Sequence, residues 1–230
     1  MASKSDNQEA QMTPRPQMKS QAREEFEAWA DSYDTHYLNR FLFRPSYRIF
    51  MEELYRWRGL DGSPYDLLDI GCGSGTLVSL LASTNLPLRR VVALDYAEQM
   101  CRVAREKGRR VGCDGVVYVN ADSEHLPFPD AAFDAITCSN SFHHYPHQQE
   151  VVVEMRRVLR PGGRLMLIDG FRDNVVGWFV FDVCIAAVEG LVHHVPWSGV
   201  NQLLQQAGFR QITHRKFNWW FPGLLTTGVA

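Results

Sequence analysis

The chain has little of what marks a secreted, membrane-spanning or metal-held protein. Its 230 residues include five cysteines, Cys72, Cys101, Cys113, Cys138 and Cys184, and no Cys-x-x-Cys pair. An odd, dispersed set excludes a disulfide framework and reads as free thiols in a reducing compartment, here the cytoplasm. Zinc needs clustered soft ligands, and without such a cluster no metal is expected. No apolar stretch follows Met1, so no secretory signal is read there. The most lipid-like segment, Val175 to Val192, is interrupted by Gly177, Asp182, Glu189 and Gly190. That pattern excludes a spanning helix and leaves a buried or interfacial one, with membrane contact at most peripheral. Neither sign of charge dominates. A formal net charge of -2 provides no global basic field for nucleic acid and points to no polyanionic partner. Internal repeats are absent.

What is present fits one globular unit with a sizeable core, at 45% hydrophobic and 22% charged residues. Residues 1–22 are polar, carry Pro14 and Pro16, and read as a disordered tail. Residues 23–60 read as an N-terminal helical cap, because Phe26, Trp29, Tyr33 and Tyr37 recur at helical spacing. Arg44-Pro45 marks a break in it. Residues 61–230 form the main domain. Short apolar strands are expected at Tyr65–Ile70, Arg90–Asp95, Val116–Asn120, Phe133–Ser139 and Arg164–Asp169. Helices are expected between them at Thr76–Ser83, Ala97–Lys107 and Gln148–Leu159. The alternation predicts an α/β fold, a Rossmann-like, doubly wound, mostly parallel seven-stranded sheet with helices on both faces. It then stops for an aromatic insertion at 171–200. Ser198 reads as an N-cap, Gly208 ends the following helix, and Phe209–Asn218 and Leu224–Val229 read as two closing strands.

Leu67 to Gly75 is the most telling stretch. A buried-type strand ends at Asp69-Ile70 and runs into Gly71-Cys72-Gly73-Ser74-Gly75. Glycines at every second position predict a tight turn whose bare amides face a small molecule. The dinucleotide fingerprint wants its third glycine one residue later, where Thr76 stands. A phosphate-binding P-loop wants a Lys-Ser or Lys-Thr after the glycines, and none follows. Asp95 closes the next strand, about 20 residues on, where a carboxylate can accept from both ribose hydroxyls. Asp122 and Ser123 follow the third strand, where an acid can accept from an exocyclic amine. Each acid taken singly also suits a helix or loop cap; together with the glycine loop they favour a nucleoside. Leu159-Arg160-Pro161-Gly162-Gly163 reads as a helix end, a turn and a strand start.

In order and spacing these residues resemble the class I S-adenosylmethionine (SAM) methyltransferases. Leu126-Pro127-Phe128-Pro129-Asp130 and Phe133-Asp134 resemble the signature of their small-molecule branch, which includes the UbiE-type ubiquinone/menaquinone biosynthesis enzymes. The resemblance covers roughly Phe26 to Asp169. It implies that SAM is the methyl donor and S-adenosylhomocysteine the product. It also implies Asp69 at the ammonium group, Gly71, Cys72, Gly73 and Gly75 at the methionine part, and Asp95 on the ribose. Tyr96 and Met100 would flank the adenine, with Ala121, Asp122 and Ser123 at its edge. Ser139 and Asn140 would line the cofactor where it meets substrate, and Tyr33 would close over it.

Methyl transfer from a sulfonium asks the protein to align a nucleophile and exclude water, with a base where the nucleophile carries a proton. The loop Asn140 to His147 supplies candidate bases in His143 and His144. Packing without catalysis is the alternative for both. The substrate pocket is expected from Trp29, His143, Phe171, Trp178, His194 and Trp197, an aromatic set suited to a lipophilic or aromatic acceptor. The loop lacks the Asn/Asp-Pro-Pro-Tyr/Phe box of adenine and glutamine methylation. Two other readings stay open: an RNA or protein methyltransferase, whose basic run would be Arg102, Arg105, Lys107, Arg109 and Arg110, and a SAM-binding partner subunit without activity.

Overall fold

The computed structural model describes residues 37–59, 62–170, 196–217 and 222–230. The expected tail, Trp29, Tyr33 and the body of the insertion, with Phe171, Trp178 and His194, lie outside the described residues. Helix α1 spans Tyr37–Leu54 and continues into a wider turn at Tyr55–Gly59. Then come β1 (Tyr65–Ile70), α2 (Thr76–Ala82), β2 (Leu88–Asp95), α3 (Glu98–Arg110), β3 (Val116–Asn120), β4 (Phe133–Ser139), a 3-10 turn (Phe142–His144), α4 (Gln148–Val158), β5 (Leu159–Gly170), α5 (Trp197–Gln206), β6 (Arg210–Phe217) and β7 (Gly223–Val229).

These strands make one seven-stranded sheet in the order β3-β2-β1-β4-β5-β7-β6. The first five are parallel, and β7 runs antiparallel to both β5 and β6. Every residue of β1 is buried, as a strand covered on both faces requires. Its side chains alternate between two cores. Leu68 and Ile70 join Val151, Met155 and Val158 of α4 and Leu204 of α5 on one face. Leu67 joins Phe50 and Leu54 of α1, Val78 of α2 and Ala104 of α3 on the other. The doubly wound fold expected from the alternating elements is what is seen. Among the described residues no helix is long and apolar enough to cross a membrane.

Some boundaries differ from expectation. Pro45 does not break the N-terminal helix; it lies inside α1. The burial of Ile49, Phe50 and Leu54 just beyond it holds the helix together despite the missing amide. Helix α5 starts at Trp197 with Pro196 in the cap position, so Ser198 is not its cap. Strand β5 reaches back to Leu159, which pairs with Phe133, but the register then jumps to Arg164 opposite Ala135, so Arg160 to Gly163 make the expected turn as a bulge, with Gly162 at φ 79°. The Gly162 amide donates to the Ala230 carbonyl and the Ala230 amide to that of Gly163, both at 2.9 Å.

The signature loop before β4 is architecture. Arg157 of α4 donates to the carbonyls of Leu126 and Phe128 and to Asp130, while Glu154 accepts from the Leu126 amide. Phe128 packs edge-on against Phe133, with ring centroids 5.0 Å apart. At the amino ends of the strands, Arg89 grips Asp66 through two bonds of 2.9 and 2.7 Å. Arg160 bridges Asp66 and Asp134 at 3.0 and 2.6 Å.

Candidate functional site

The strand order reverses between β1 and β4, and a cleft opens at their carboxyl ends, where ligands of open α/β sheets bind. The turn after β1 brings Asp69, Gly71, Cys72 and Gly73 to its wall. Asp95, Tyr96 and Met100 come from β2 and α3, Ala121, Asp122 and Ser123 from beyond β3, and Ser139, Asn140 and His144 from β4 and its turn.

The three loop glycines have different duties. All hold left-handed backbone, with φ of 69°, 52° and 74° at Gly71, Gly73 and Gly75. A Cβ on Gly71 would stand 2.3 Å from Ser141 Oγ, and one on Gly75 would stand 2.8 Å from the Ala104 Cβ of α3. A Cβ on Gly73 would meet nothing within 4 Å. Only Gly73 therefore leaves its missing side chain to the cleft. Gly75 packs against α3, where Ala104 occupies the space its side chain would take. Lys107 ties α3 to the same loop, donating to Ser74 Oγ at 3.0 Å and Thr76 Oγ1 at 2.8 Å.

The cleft is acidic. Asp69 is buried and accepts from Thr137 Oγ1 at 2.7 Å. Burial, helped by the charge of Asp95, pushes its carboxyl up to about 7, against the opposing Thr137 bond. Asp95 accepts from the Gly73 amide at 2.8 Å and the Ala97 amide at 2.9 Å. Burial raises its pKa, and the backbone donors oppose the shift. Asp95 thus acts as a cap, its two oxygens fixed by two amides, and it also stands on the cleft wall. Asp122 likewise accepts from the Glu124 amide at 3.0 Å and stays on the wall. Cys72, hydrogen-bonded with Cys101 and buried, is held protonated, and burial pushes Cys138 up to about 12. Neither supplies a thiolate nucleophile.

Position separates the two candidate bases. His144 is on the cleft wall, while His143 is buried beside it and its Nδ1 lies 2.6 Å from Asp169 Oδ1. Sequence reading did not single out Asp169 as a partner of this pair. A carboxylate at a strand end, the same signal that pointed to Asp69 and Asp95, could have found it. Trp197 opens α5, but nothing is described of its side chain. Sequence reading also missed Tyr47 of α1, hidden by the supposed break at Pro45, and Glu124, Ser141, Tyr145 and Pro146 on the wall. Ser141 Oγ bonds the Tyr145 hydroxyl at 3.0 Å and backs the turn at Gly71. Glu124 pairs with His147 Nδ1 at 2.9 Å.

A doubly wound sheet with this cleft defines a nucleoside-type binding fold, and the likeness to known proteins narrows it. Residues 68–167 match the family described as Methyltransferase domain. It is similar to a demethylmenaquinone methyltransferase of Listeria welshimeri, 35% identical over 113 residues, which are 49% of this chain and 48% of that one. It is also similar to the ubiquinone/menaquinone biosynthesis C-methyltransferase UbiE of Pseudomonas fluorescens, 32% identical over 157 residues, 68% of this chain and 60% of that one. The chain thus spans about half the length of the first of these relatives. The fold matches a Burkholderia thailandensis 1,6-didemethyltoxoflavin-N1-methyltransferase, solved with that substrate and S-adenosylhomocysteine. That match has a TM-score of 0.72 at 18% identity, covering 99% of this chain and 97% of that one.

Proposed function

We propose that this chain is a cytoplasmic SAM-dependent methyltransferase acting on a lipophilic or aromatic small molecule. The observation that carries the reading is a pair of carboxylates, buried Asp69 and half-buried Asp95, on the wall of one cleft beside the uncovered backbone of Gly73. A cationic, ribose-bearing ligand fits that chemistry, because a buried carboxylate with a raised pKa gains most from a cation. When bound, SAM supplies a methyl already activated on a positively charged sulfur.

The protein's own part is to hold and to exclude water. Asp69 takes the ammonium. Asp95, its oxygens aimed by the amides of Gly73 and Ala97, takes the ribose hydroxyls. Met100 is almost wholly buried and forms an apolar wall for the base, with Asp122 and Ser123 at its edge. Asn140, with φ of 49°, turns the chain at the end of β4 and brings His144 to the acceptor side. The names of the relatives support a quinone precursor or a similar acceptor. The basic run on α3 does not favour nucleic acid: Arg102 pairs with Glu106, Arg105 donates to the Tyr118 carbonyl, and Lys107 serves the glycine loop.

Calorimetry with SAM and S-adenosylhomocysteine tests the donor. Both should bind, and Asp95→Ala should weaken SAM about a hundredfold by removing two charge-assisted bonds. Failure of wild type to bind either would sink the reading. Labelled methyl supplied to a cell extract should then pass to organic-extractable small molecules. Label in RNA or protein alone would favour those acceptors, and binding without transfer would favour a partner subunit.

A further inference from the structure

Strands β4 and β5 run parallel with Ser139 opposite Ile168, so Asp169 lies one residue past that pair, facing the turn that carries the histidines. Its carboxylate is well occupied. It accepts from the Gly170 amide at 2.7 Å, the His143 amide at 2.9 Å and His143 Nδ1 at 2.6 Å. A carboxylate already accepting two backbone donors is an acceptor toward the ring as well, so the proton of the third contact sits on Nδ1. The His143 side chain is only 9% exposed and contributes nothing to the cleft wall. The His144 ring does line the cleft, and it lies against that of His143, centroids 4.0 Å apart and planes tilted by 48°. The backbone helps, since the His144 amide donates to the Ser141 carbonyl at 3.1 Å.

We infer that Asp169 is a positioning residue which, by clamping His143, sets the place and orientation of His144, and that His144 alone takes a proton from the methyl acceptor. The inference rests on the methyltransferase reading above. The two histidines then have separate duties: His143 is a fixed support behind the cleft with its ring held by Asp169, and His144 is the group in contact with the acceptor. In the step assigned to His144, an X–H bond of the acceptor breaks and the proton forms an N–H bond on the imidazole. The electron pair stays on X, which takes the methyl. The acceptor class follows: a molecule with an ionisable hydrogen at the reacting atom, as in a phenol or a protonated amine. Acceptors with no such hydrogen, such as a thioether, have no use for this arrangement.

Two readouts test it, one of them independent of any acceptor. Spectra of 15N-labelled imidazoles should show a strongly downfield Nδ1 proton for His143. Asp169→Asn should abolish that signal and shift the ring resonances of His144, with SAM affinity unchanged by calorimetry. For labelled-methyl transfer to the small-molecule extract, Asp169→Asn should lower kcat about tenfold or more at unchanged KM for SAM, and Asp169→Glu should restore part of it. His143→Asn, which removes the ring that Asp169 clamps, should fall by about the same tenfold. His144→Asn should lose about a hundredfold. If Asp169→Asn fails to fold, Asp169→Glu and His143→Asn carry the same comparison. His144 resonances unmoved by the Asp169 variants would overturn the inference, as would His143→Asn being as inactive as His144→Asn. Loss of SAM binding by wild type would sink the functional reading instead, while the spectra would still decide whether Asp169 orients His144.

Discussion

Asp66 and Asp69 stand three residues apart on the same strand, both buried, and they live in opposite electrostatic worlds. At the amino end of β1, Arg89 and Arg160 bind Asp66 and hold its carboxyl below the usual carboxylate range. At the carboxyl end, burial pushes Asp69 up to about 7, with Thr137 beside it and the acid Asp95 nearby. The contrast separates two uses of a buried acid. One is neutralised within the protein and staples strands β1, β2 and β5 together. The other keeps its need for a cation and turns that need toward the cleft.

Replacing Asp69 should break the contrast most sharply. Asp69→Asn should weaken SAM about a hundredfold, because the ammonium loses a charged partner. The same change should stabilise the ligand-free protein. A carboxyl whose folded pKa is raised contributes its full stability only below its unfolded value near 4, and loses it as pH rises through about 7. Wild type should therefore weaken between pH 4 and 7 and stay weakened above. Asp69→Asn should escape that loss, gaining at most about 4 kcal/mol and several degrees in Tm at pH 8. Thermal melts without ligand check the gain. Calorimetry on wild type should also show SAM binding tightening from pH 6 to 8. A variant that binds SAM as wild type does would contradict the assignment of Asp69.

This end of the sheet was largely legible from sequence, and the reason is local. Asp69, Gly71, Asp95, Asp122, Ser139 and Asn140 each sit at the end of an apolar strand, so finding the strands locates the site. The boundaries β1, β3 and β4 were readable for the same reason, being short apolar runs between breakers. What sequence did not show depends on distant contacts. Gly75 looked like a ligand glycine, and only the packing of α3 shows that Ala104 occupies its space. Asp169 and His143 are 26 residues apart, and only the parallel pairing of β4 with β5 brings them together. The turn at Gly162 and Gly163 is held by two backbone bonds to Ala230, far along the sequence. Pro45 was overridden by the burial of the helix beyond it.

Asp66 should give the second-largest effect, of the opposite kind. Asp66→Asn strips Arg89 and Arg160 of their shared partner, and both arginines can still reach water, at 54% and 34% side-chain exposure. The cost should therefore fall below that of a fully buried pair, at about 2–3 kcal/mol, or roughly 5–10 °C in Tm. SAM affinity of the folded fraction should not change. Because the folded pKa of Asp66 is lowered, its contribution is present above its unfolded value near 4 and is lost as pH falls through the folded one. The variant should accordingly show a flatter acid-unfolding limb than wild type, read by circular dichroism below pH 4. An unchanged limb would mean that the clamp is only decorative.

The smallest effects come from one glycine at each end of the sheet, and they should split the same way. A Cβ on Gly163, at the clamp, would stand 2.8 Å from the Arg160 carbonyl oxygen and 3.0 Å from that of Asp134. Gly163→Ala should cost about 1–2 kcal/mol of stability through overpacking and leave SAM affinity alone. Gly73, at the cleft, has open space for a Cβ but holds φ at 52°. Gly73→Ala should cost about 1 kcal/mol of stability from the left-handed backbone, and in addition about tenfold in SAM affinity as the methyl enters the cleft. Melting curves and calorimetry on the two variants measure both quantities. The informative number is the ratio of affinity lost to stability lost, which should be far larger at Gly73. Equal ratios would mean that the Gly73 backbone does not face the donor.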